Sequence, residues 1–100
     1  MYGLENKEIE QINKVFAKYD CVEEVMLFGS RAKGTQKPFS DIDLTLIGKD
    51  ITQKDLISIM EDLDNLLLPY EIDLSIFYNM ENESLKEHIK RMNIVFYKKK

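Results

Sequence analysis

Apolar residues recur at three- and four-residue spacing in three parts of the chain, which predicts three amphipathic helices. The first covers about residues 4–19, with an inward stripe of Ile9, Ile12, Val15, Phe16 and Tyr19. The second begins after Thr52, which has Asp55 at capping-box spacing, and ends before Pro69, with Leu56, Ile59, Met60, Leu63 and Leu67 inward. The third covers Glu83 to about Arg91, with Leu85, Ile89 and Met92 inward.

Short segments rich in β-branched, aromatic and other apolar residues lie between the helices and after the last one, and they predict strands. They are Glu23–Phe28, Asp41–Ile47, Tyr70–Phe77 and Ile94–Tyr97. Helices and strands therefore alternate, which predicts an α/β (α+β) fold with a mixed four-stranded sheet and helices packed on it. The length of 100 residues suits one domain covering residues 1–100.

Acidic side chains share one face of two predicted strands. Asp41 and Asp43 alternate with apolar residues, and Asp73 has the same phase on the later strand. The helix between these strands is a crossover long enough to make them parallel neighbours, which begin at the same sheet edge. If the first strand runs antiparallel, it ends at that edge with the turn formed by Gly29 and Ser30. We therefore expect the three carboxylates to converge opposite this turn.

Such a cluster of carboxylates needs a neutralising partner, because like charges repel and resist burial. Mg²⁺ prefers oxygen ligands and is commonly bound by one or two carboxylates together with substrate phosphates. A pair of ions can hold the attacking and leaving oxygens of an in-line displacement. We expect Asp41, Asp43 and Asp73 to ligate two Mg²⁺ ions, while Gly29 and Ser30 bind phosphate.

Net charge and cysteine content exclude several other classes of protein. The net charge of −4 and pI near 5 argue against general nucleic-acid binding, although basic residues cluster at 31–37, 86–91 and 98–100. The single cysteine, Cys21, cannot form an intramolecular disulfide, and no export signal or membrane span is indicated. We expect a cytoplasmic protein without membrane association.

The spacing Gly29-Ser30, ten residues, Asp41-Ile42-Asp43 resembles the DNA polymerase beta-like nucleotidyltransferase superfamily. The stretches GSRAKG, SDIDL, EIDLSIF and VFY are more closely similar to the minimal nucleotidyltransferases, which are often encoded beside a HEPN-domain protein as its antitoxin. Two departures are evident. Met92-Asn93 replaces a frequent Glu-Gly turn, and we expect no extra domain of the kind with which larger relatives hold their acceptors.

This resemblance implies a nucleotidyltransferase fold and transfer of a nucleoside monophosphate, with ATP the expected substrate and a tyrosine of a HEPN-domain toxin the expected acceptor. Gly29 and Ser30 would hold the β- and γ-phosphates, Asp41 and Asp43 would ligate both metals, and Asp73 would complete the site and accept the proton of the attacking hydroxyl. Two alternatives stay open: an antitoxin that neutralises its partner by contact alone, and a nucleotidyltransferase with a small-molecule acceptor. Self-association is also possible.

The residues around this motif have less specific roles. Arg31 and Ser40 are further candidates for nucleotide binding, and the alternatives are a solvated basic loop and an ordinary turn hydroxyl. Lys33 and Lys37 could steer a triphosphate. Phe39 is more consistent with an apolar loop anchor than with a contact to the nucleobase, and Glu71 with a solvated residue than with a fourth ligand.

Overall fold

Four helices and four strands alternate along residues 1–100, all of which the computed structural model describes. The helices are α1 (Asn6–Ala17), α2 (Ser30–Lys33), α3 (Gln53–Asp64) and α4 (Glu83–Met92), and the strands are β1 (Glu24–Phe28), β2 (Ile42–Ile47), β3 (Ile72–Ile76) and β4 (Val95–Lys98). A short 3-10 helix, Phe77–Asn79, follows β3. No helix has both the length and the apolar character needed to cross a membrane.

The strands form one mixed sheet in the order β3-β2-β1-β4. Strand β1 pairs antiparallel with both β2 and β4, whereas β2 and β3 run parallel and are joined by α3. A parallel pair needs a crossover of this kind, because a tight turn can only reverse the chain. The predicted mixed four-stranded sheet with helices packed on it is confirmed.

The two faces of the sheet differ in how they are covered. On one face, α1 and α3 pack over the inward residues of the strands and form the main core, which includes Phe16, Leu44 and Ile59. On the other face, Ile89 of α4 packs against Met26 and Phe77. Asp43 and Asp73 also lie on this second face, because alternate side chains of a strand point to opposite sides.

Local capping determines where the helices begin and end. The predicted capping box is present, since the Thr52 hydroxyl accepts from the Asp55 N–H at 3.1 Å and the Asp55 carboxylate accepts from the Thr52 N–H at 3.0 Å. Asn93 adopts a left-handed conformation after α4, with φ 48° and ψ 49°, as a residue in place of the glycine of this turn must. Helix α3 is shorter than predicted and stops at Asp64, and Leu67 has φ 55°.

Three residues predicted to point inward are in fact exposed. Leu67 is 88% exposed because the helix has ended before it, while Met60 and Met92 are 41% and 38% exposed. The inward stripes of α3 and α4 are therefore narrower than the sequence pattern suggested. Ile59 and Leu63 on α3, and Ile89 on α4, are the residues buried there.

Candidate active site

The turn after β1 brings the backbone close to the side chain of Asp43. Phe28, the last residue of β1, is the register partner of Asp43, and Gly29 follows with φ 76° and ψ −154°. Only glycine adopts this conformation readily. A Cβ atom at Gly29 would also collide with the Asp43 carboxylate. Glycine is therefore required here for two reasons, and it places the start of α2 at Ser30 beside that carboxylate.

Two aspartates face each other across the parallel strands. Asp43 of β2 is the register partner of Asp73 of β3, and neighbouring strands lie about 4.8 Å apart. Asp43 is half-buried and Asp73 is exposed. Asp41, which is also exposed, immediately precedes β2 and is two residues before Asp43. The structure thus places the Gly29-Ser30 turn against Asp43 and pairs Asp43 with Asp73, while the catalytic roles of these residues stay predictions.

The charges of Asp41 and Asp73 both act on the carboxyl group of Asp43. The pKa of Asp43 is raised above its ordinary value of 3.8, first by burial and then by the negative charges of Asp73 and Asp41. Both causes disfavour the ionised form. Without a cation, the protein therefore holds a carboxylate where a negative charge is unfavourable.

The acidic residues fit a hard divalent cation in chemistry and in strand position. Carboxylate oxygens are the ligands that Mg²⁺ prefers, and the lack of a side chain at Gly29 lets the backbone of this turn lie against the Asp43 carboxylate. As the side chains stand, no group of three acidic, histidine or cysteine residues is arranged to hold a metal ion. Metal binding would therefore require the exposed side chains of Asp41 and Asp73 to turn toward Asp43.

Arg31 has a different position from the one predicted. Its side chain is 2% exposed, and Nε and Nη2 both donate to the Ser40 carbonyl oxygen, at 3.2 and 2.8 Å. Nη1 donates to the Tyr2 carbonyl oxygen at 2.9 Å, and the guanidinium lies 4.8 Å from the centre of the Tyr70 ring. Because its donors point into the protein, this placement does not support the direct nucleotide contact expected of Arg31.

The other residues of the loop before β2 divide into turn and surface positions. The Ser40 hydroxyl accepts from the Lys37 N–H at 2.7 Å, so it acts at least as a turn residue. Lys33 and Lys37 are exposed. Phe39 is 74% exposed, so its interpretation as an apolar loop anchor is wrong.

Two hydroxyl residues, Thr45 and Ser75, share the face of the aspartates, as their strand phase predicts, and form a hydrogen-bonded pair that had no predicted role. Thr45 is fully buried, its hydroxyl accepts from Ser75 Oγ at 3.1 Å, and it donates to the Ser75 carbonyl oxygen at 3.4 Å. Thr45 and Ser75 are register partners two residues along the strands from Asp43 and Asp73, and they therefore lie on the same face. The phase of Thr45 and Ser75 behind the two aspartates was the sequence signal for it.

The acidic cluster is an open surface rather than a cavity. The grooves of the surface lie elsewhere, and the largest, of about 400 Å³, is lined by the end of α1 and by residues of the C-terminal segment. None of the grooves is lined by Asp41, Asp43 or Asp73. A bound substrate at the aspartates would therefore stay accessible to a second molecule.

The mixed sheet, with a Gly-Ser turn facing carboxylates on two neighbouring strands, defines a domain of the nucleotidyltransferase type. The chain belongs to the family described as Polymerase beta, Nucleotidyltransferase, whose model matches residues 10–100. This match confirms the resemblance at the level of the superfamily. It identifies the chain as a transferase domain and leaves its acceptor and any antitoxin role to the proposal below.

Comparison with solved structures agrees with this family. The fold is similar to that of a crystal structure from Sulfolobus solfataricus, of a protein provisionally assigned as a nucleotidyltransferase, with a TM-score of 0.55 and 25% sequence identity. The similarity covers 91% of this chain and 77% of the other. No curated protein sequence matches the chain.

Proposed function

We propose that the protein transfers a nucleoside monophosphate, AMP from ATP, to a hydroxyl group of a second protein and acts in the cytoplasm. The observation that carries this proposal is the position of Asp43, which lies opposite Asp73 in register and against the turn that starts at Gly29. This arrangement brings a turn suited to phosphate next to carboxylates suited to a metal. The family supports nucleotidyl transfer independently.

Each residue of the site has a proposed task. The backbone N–H groups of the turn and the Ser30 hydroxyl hold the terminal phosphates of the triphosphate. Asp41 and Asp43 ligate two Mg²⁺ ions, and Asp73 completes the site on the side of the acceptor. When bound, these ions neutralise the developing negative charge and align the attacking and leaving oxygens.

The reaction is an in-line substitution at the α-phosphorus. The acceptor oxygen forms a bond to that phosphorus, the bond to the bridging oxygen of the β-phosphate breaks, and pyrophosphate leaves. Asp73, which is exposed, takes the proton of the acceptor hydroxyl. Its position on the edge strand β3 leaves it accessible from outside the sheet.

The open surface at the aspartates supports a macromolecular acceptor. Small-molecule sites are usually concave and enclose most of the ligand. No groove of this kind is lined by the three aspartates. We therefore propose a tyrosine of a HEPN-domain toxin as the acceptor, so that nucleotidylation would neutralise the toxin and the chain would be its antitoxin.

The test is incubation of the protein with Mg²⁺, ATP labelled at the α-phosphate and the candidate HEPN-domain protein. We expect label on a tyrosine of the partner, and its loss with Asp43→Asn. Asp50→Asn, which changes an exposed turn residue, is the control and should keep the activity.

Masking by contact alone gives a different result. In that case no label reaches the partner, neutralisation requires stoichiometric amounts of protein, and Asp43→Asn still neutralises toxicity. Label on a small molecule and none on the protein would instead favour the small-molecule acceptor. Either result would overturn the proposal.

A further inference from the structure

Arg31 is the one charged side chain buried in this protein. None of the ion pairs in the structure includes it. A buried charge without a counterion is costly unless hydrogen bonds compensate. Its compensation comes from two backbone carbonyl groups and the face of the Tyr70 ring. An apolar side chain would fill the same space without the cost of burying a charge, so packing alone does not explain an arginine at this position.

The two guanidinium bonds to Ser40 act on the peptide group that joins Ser40 to Asp41. Nε and Nη2 approach the same carbonyl oxygen, so they fix the orientation of that peptide plane. The Ser40 hydroxyl accepts from the Lys37 N–H at 2.7 Å and holds the same residue from its side chain. The residue before Asp41 is thus held at its carbonyl and at its hydroxyl group.

The same guanidinium also lies between the other segments of the site. Arg31 itself follows Ser30 in α2, and its guanidinium is 4.8 Å from the ring of Tyr70, which is three residues before Asp73. Glu71 follows Tyr70, and Ile42 follows Asp41. The backbone carbonyl oxygen of Glu71 accepts from the Ile42 N–H at 2.9 Å. One side chain therefore connects the segments that carry the serine and two of the aspartates.

The N-terminal segment completes this environment. Nη1 donates to the Tyr2 carbonyl, and Gly3 has φ 75° with its Cα so near Nη1 that a Cβ would lie 2.9 Å from it. Residues before α1 therefore close over the guanidinium, which explains its low exposure.

We infer that Arg31 is a positioning residue, which sets the orientation of Asp41 relative to Asp43 and Ser30 and does not contact the nucleotide. This inference rests on the proposed function for its catalytic consequence. It predicts that replacement of Arg31 impairs use of the divalent metal and the chemical step more than it impairs binding of ATP, because Asp41 is the ligand that is displaced. A displacement of about 1 Å in a catalytic group can cost roughly 100-fold in rate.

The test uses Arg31→Lys, which keeps the charge and loses the forked donors, and Arg31→Met, which loses both. The same two changes at Arg91, the other arginine and an exposed residue of α4, are the matched controls. We expect Arg31→Lys to lower kcat by roughly 10- to 100-fold. We expect it to raise the Mg²⁺ concentration for half-maximal activity, while KM for ATP changes less than about twofold, a separation of kcat from KM that shows loss of positioning.

A second readout does not depend on activity. Binding of Mn²⁺ to each variant is measured by titration calorimetry and by the Mn²⁺-dependent rise in Tm. We expect weaker Mn²⁺ binding for Arg31→Lys than for wild type, and unchanged binding for the Arg91 variants. If Arg31→Met does not fold, Arg31→Lys alone decides the result, and its folded fraction is measured by circular dichroism.

Three outcomes would overturn the inference. A raised KM for ATP with unchanged kcat and Mn²⁺ binding would show direct nucleotide contact. Behaviour identical to the Arg91 variants would show no role, and a loss of activity equal to the loss of folded protein would show a purely structural one. Wild-type protein that binds Mn²⁺ but transfers no nucleotide would instead refute the proposed function, while the Mn²⁺ comparison would still test Arg31.

Discussion

Asp43 and Asp73 are register partners on parallel neighbouring strands, and the first is half-buried. Two like charges in this position destabilise the sheet, because they lie directly opposite each other on neighbouring strands and water only partly screens the half-buried Asp43. The raised pKa of Asp43, caused by burial and by the charges of Asp73 and Asp41, agrees with this cost. The proposed role of Asp43 and the stability of the sheet are therefore opposed at this residue.

Replacement of Asp43 by asparagine is expected to stabilise the metal-free protein while abolishing transfer. A carboxyl group whose pKa is raised by folding is less stable when charged in the folded state, so its charge lowers the free energy of unfolding at pH 7. We expect a gain of about 0.2–1 kcal/mol, the usual size of a cross-strand pair effect. Denaturation in urea with a chelator present measures it.

Asp50→Asn serves as the control, because Asp50 lies in an exposed turn and no other carboxylate is its strand partner. Its free energy of unfolding should stay within about 0.5 kcal/mol of wild type. A fall in stability for Asp43→Asn would show that the carboxylate is needed for folding and would contradict the opposition described above.

Gly29 and Gly34 differ in two respects: in ψ, which is −154° at Gly29 and 18° at Gly34, and in the space around a Cβ atom. Both have φ 76°, but a Cβ at Gly29 would collide with the Asp43 carboxylate, whereas nothing lies within 4 Å of a Cβ at Gly34. We expect Gly34→Ala to cost about 1 kcal/mol for the left-handed conformation and to keep activity. Gly29→Ala should cost roughly 2–4 kcal/mol and lose activity.

Thermal and urea unfolding of both glycine variants, with transfer measured on the folded fraction, checks this prediction. Equal stability losses would mean that neither the ψ of Gly29 nor its contact with Asp43 adds to the cost of the substitution. Full activity in Gly29→Ala would show that transfer does not depend on the close approach of this turn to Asp43.

The parts of the fold that could be predicted from the sequence are those specified by a pattern of neighbouring residues. The alternation around Ile42 and Leu44 and the helical spacing around Ile59 are local patterns, and the structure has the elements that they predict. The end of α3 lacks such a signal, since Leu67 adopts a positive φ without being glycine or asparagine. For this reason the helix was predicted too long.

The position of Arg31 could not be predicted from its neighbours. It lies in a stretch with Lys33 and Lys37, which are exposed, and it differs from them only through carbonyl groups of Tyr2 and Ser40 that tertiary folding brings to it. The aspartates were easier to predict, because strand phase and the parallel crossover fix their location without reference to distant contacts.

The hydrogen bond between Tyr19 and Asp62 predicts how stability depends on pH. Tyr19 donates to Asp62 Oδ2 at 2.6 Å and ties the end of α1 to α3. This bond, followed by the one from Lys18, lowers the pKa of Asp62 below 3.8, and the same carboxylate raises the pKa of Tyr19 above 10.0.

The change in stability with pH has opposite signs at the two ends of the pH range. The lowered pKa of Asp62 gives stability that is present above its ordinary pKa of 3.8 and is lost as pH falls through the folded value. The raised pKa of Tyr19 gives stability that is present below 10.0 and is lost as pH rises through its folded value. Tyr19→Phe should therefore reduce the dependence of Tm on pH in both regions.

Tyr78→Phe is the matched control, because Tyr78 is 58% exposed and its loss removes a hydroxyl group without removing this contact. Measurement of Tm from pH 2.5 to 11 for wild type and both variants is sufficient. Identical profiles for Tyr19→Phe and Tyr78→Phe would contradict a stabilising role for the bond between Tyr19 and Asp62.

Phe39 offers a test of the loop that precedes the aspartates. Its ring is 74% exposed, while the next residue, Ser40, is held by Arg31 and by the Lys37 N–H. An anchor would be buried, so Phe39→Ala should change the free energy of unfolding by less than about 0.5 kcal/mol. Phe96→Ala, at a site that is 6% exposed, should cost about 3–5 kcal/mol and shows what the loss of a true anchor looks like.

Phe39 is exposed and lies two residues before Asp41 in the sequence, so a contact between its ring and the base of a bound nucleotide can be tested. Stacking of a base on an aromatic ring contributes about 1–3 kcal/mol, so we expect Phe39→Ala to raise KM for ATP at least about fivefold with kcat little changed. Calorimetric titration with ATP and with a triphosphate lacking a base distinguishes a contact between Phe39 and the base from a contact with the triphosphate. If Phe39→Ala weakens binding of both compounds equally, the effect does not depend on the base. Stacking of the Phe39 ring on the base is then excluded.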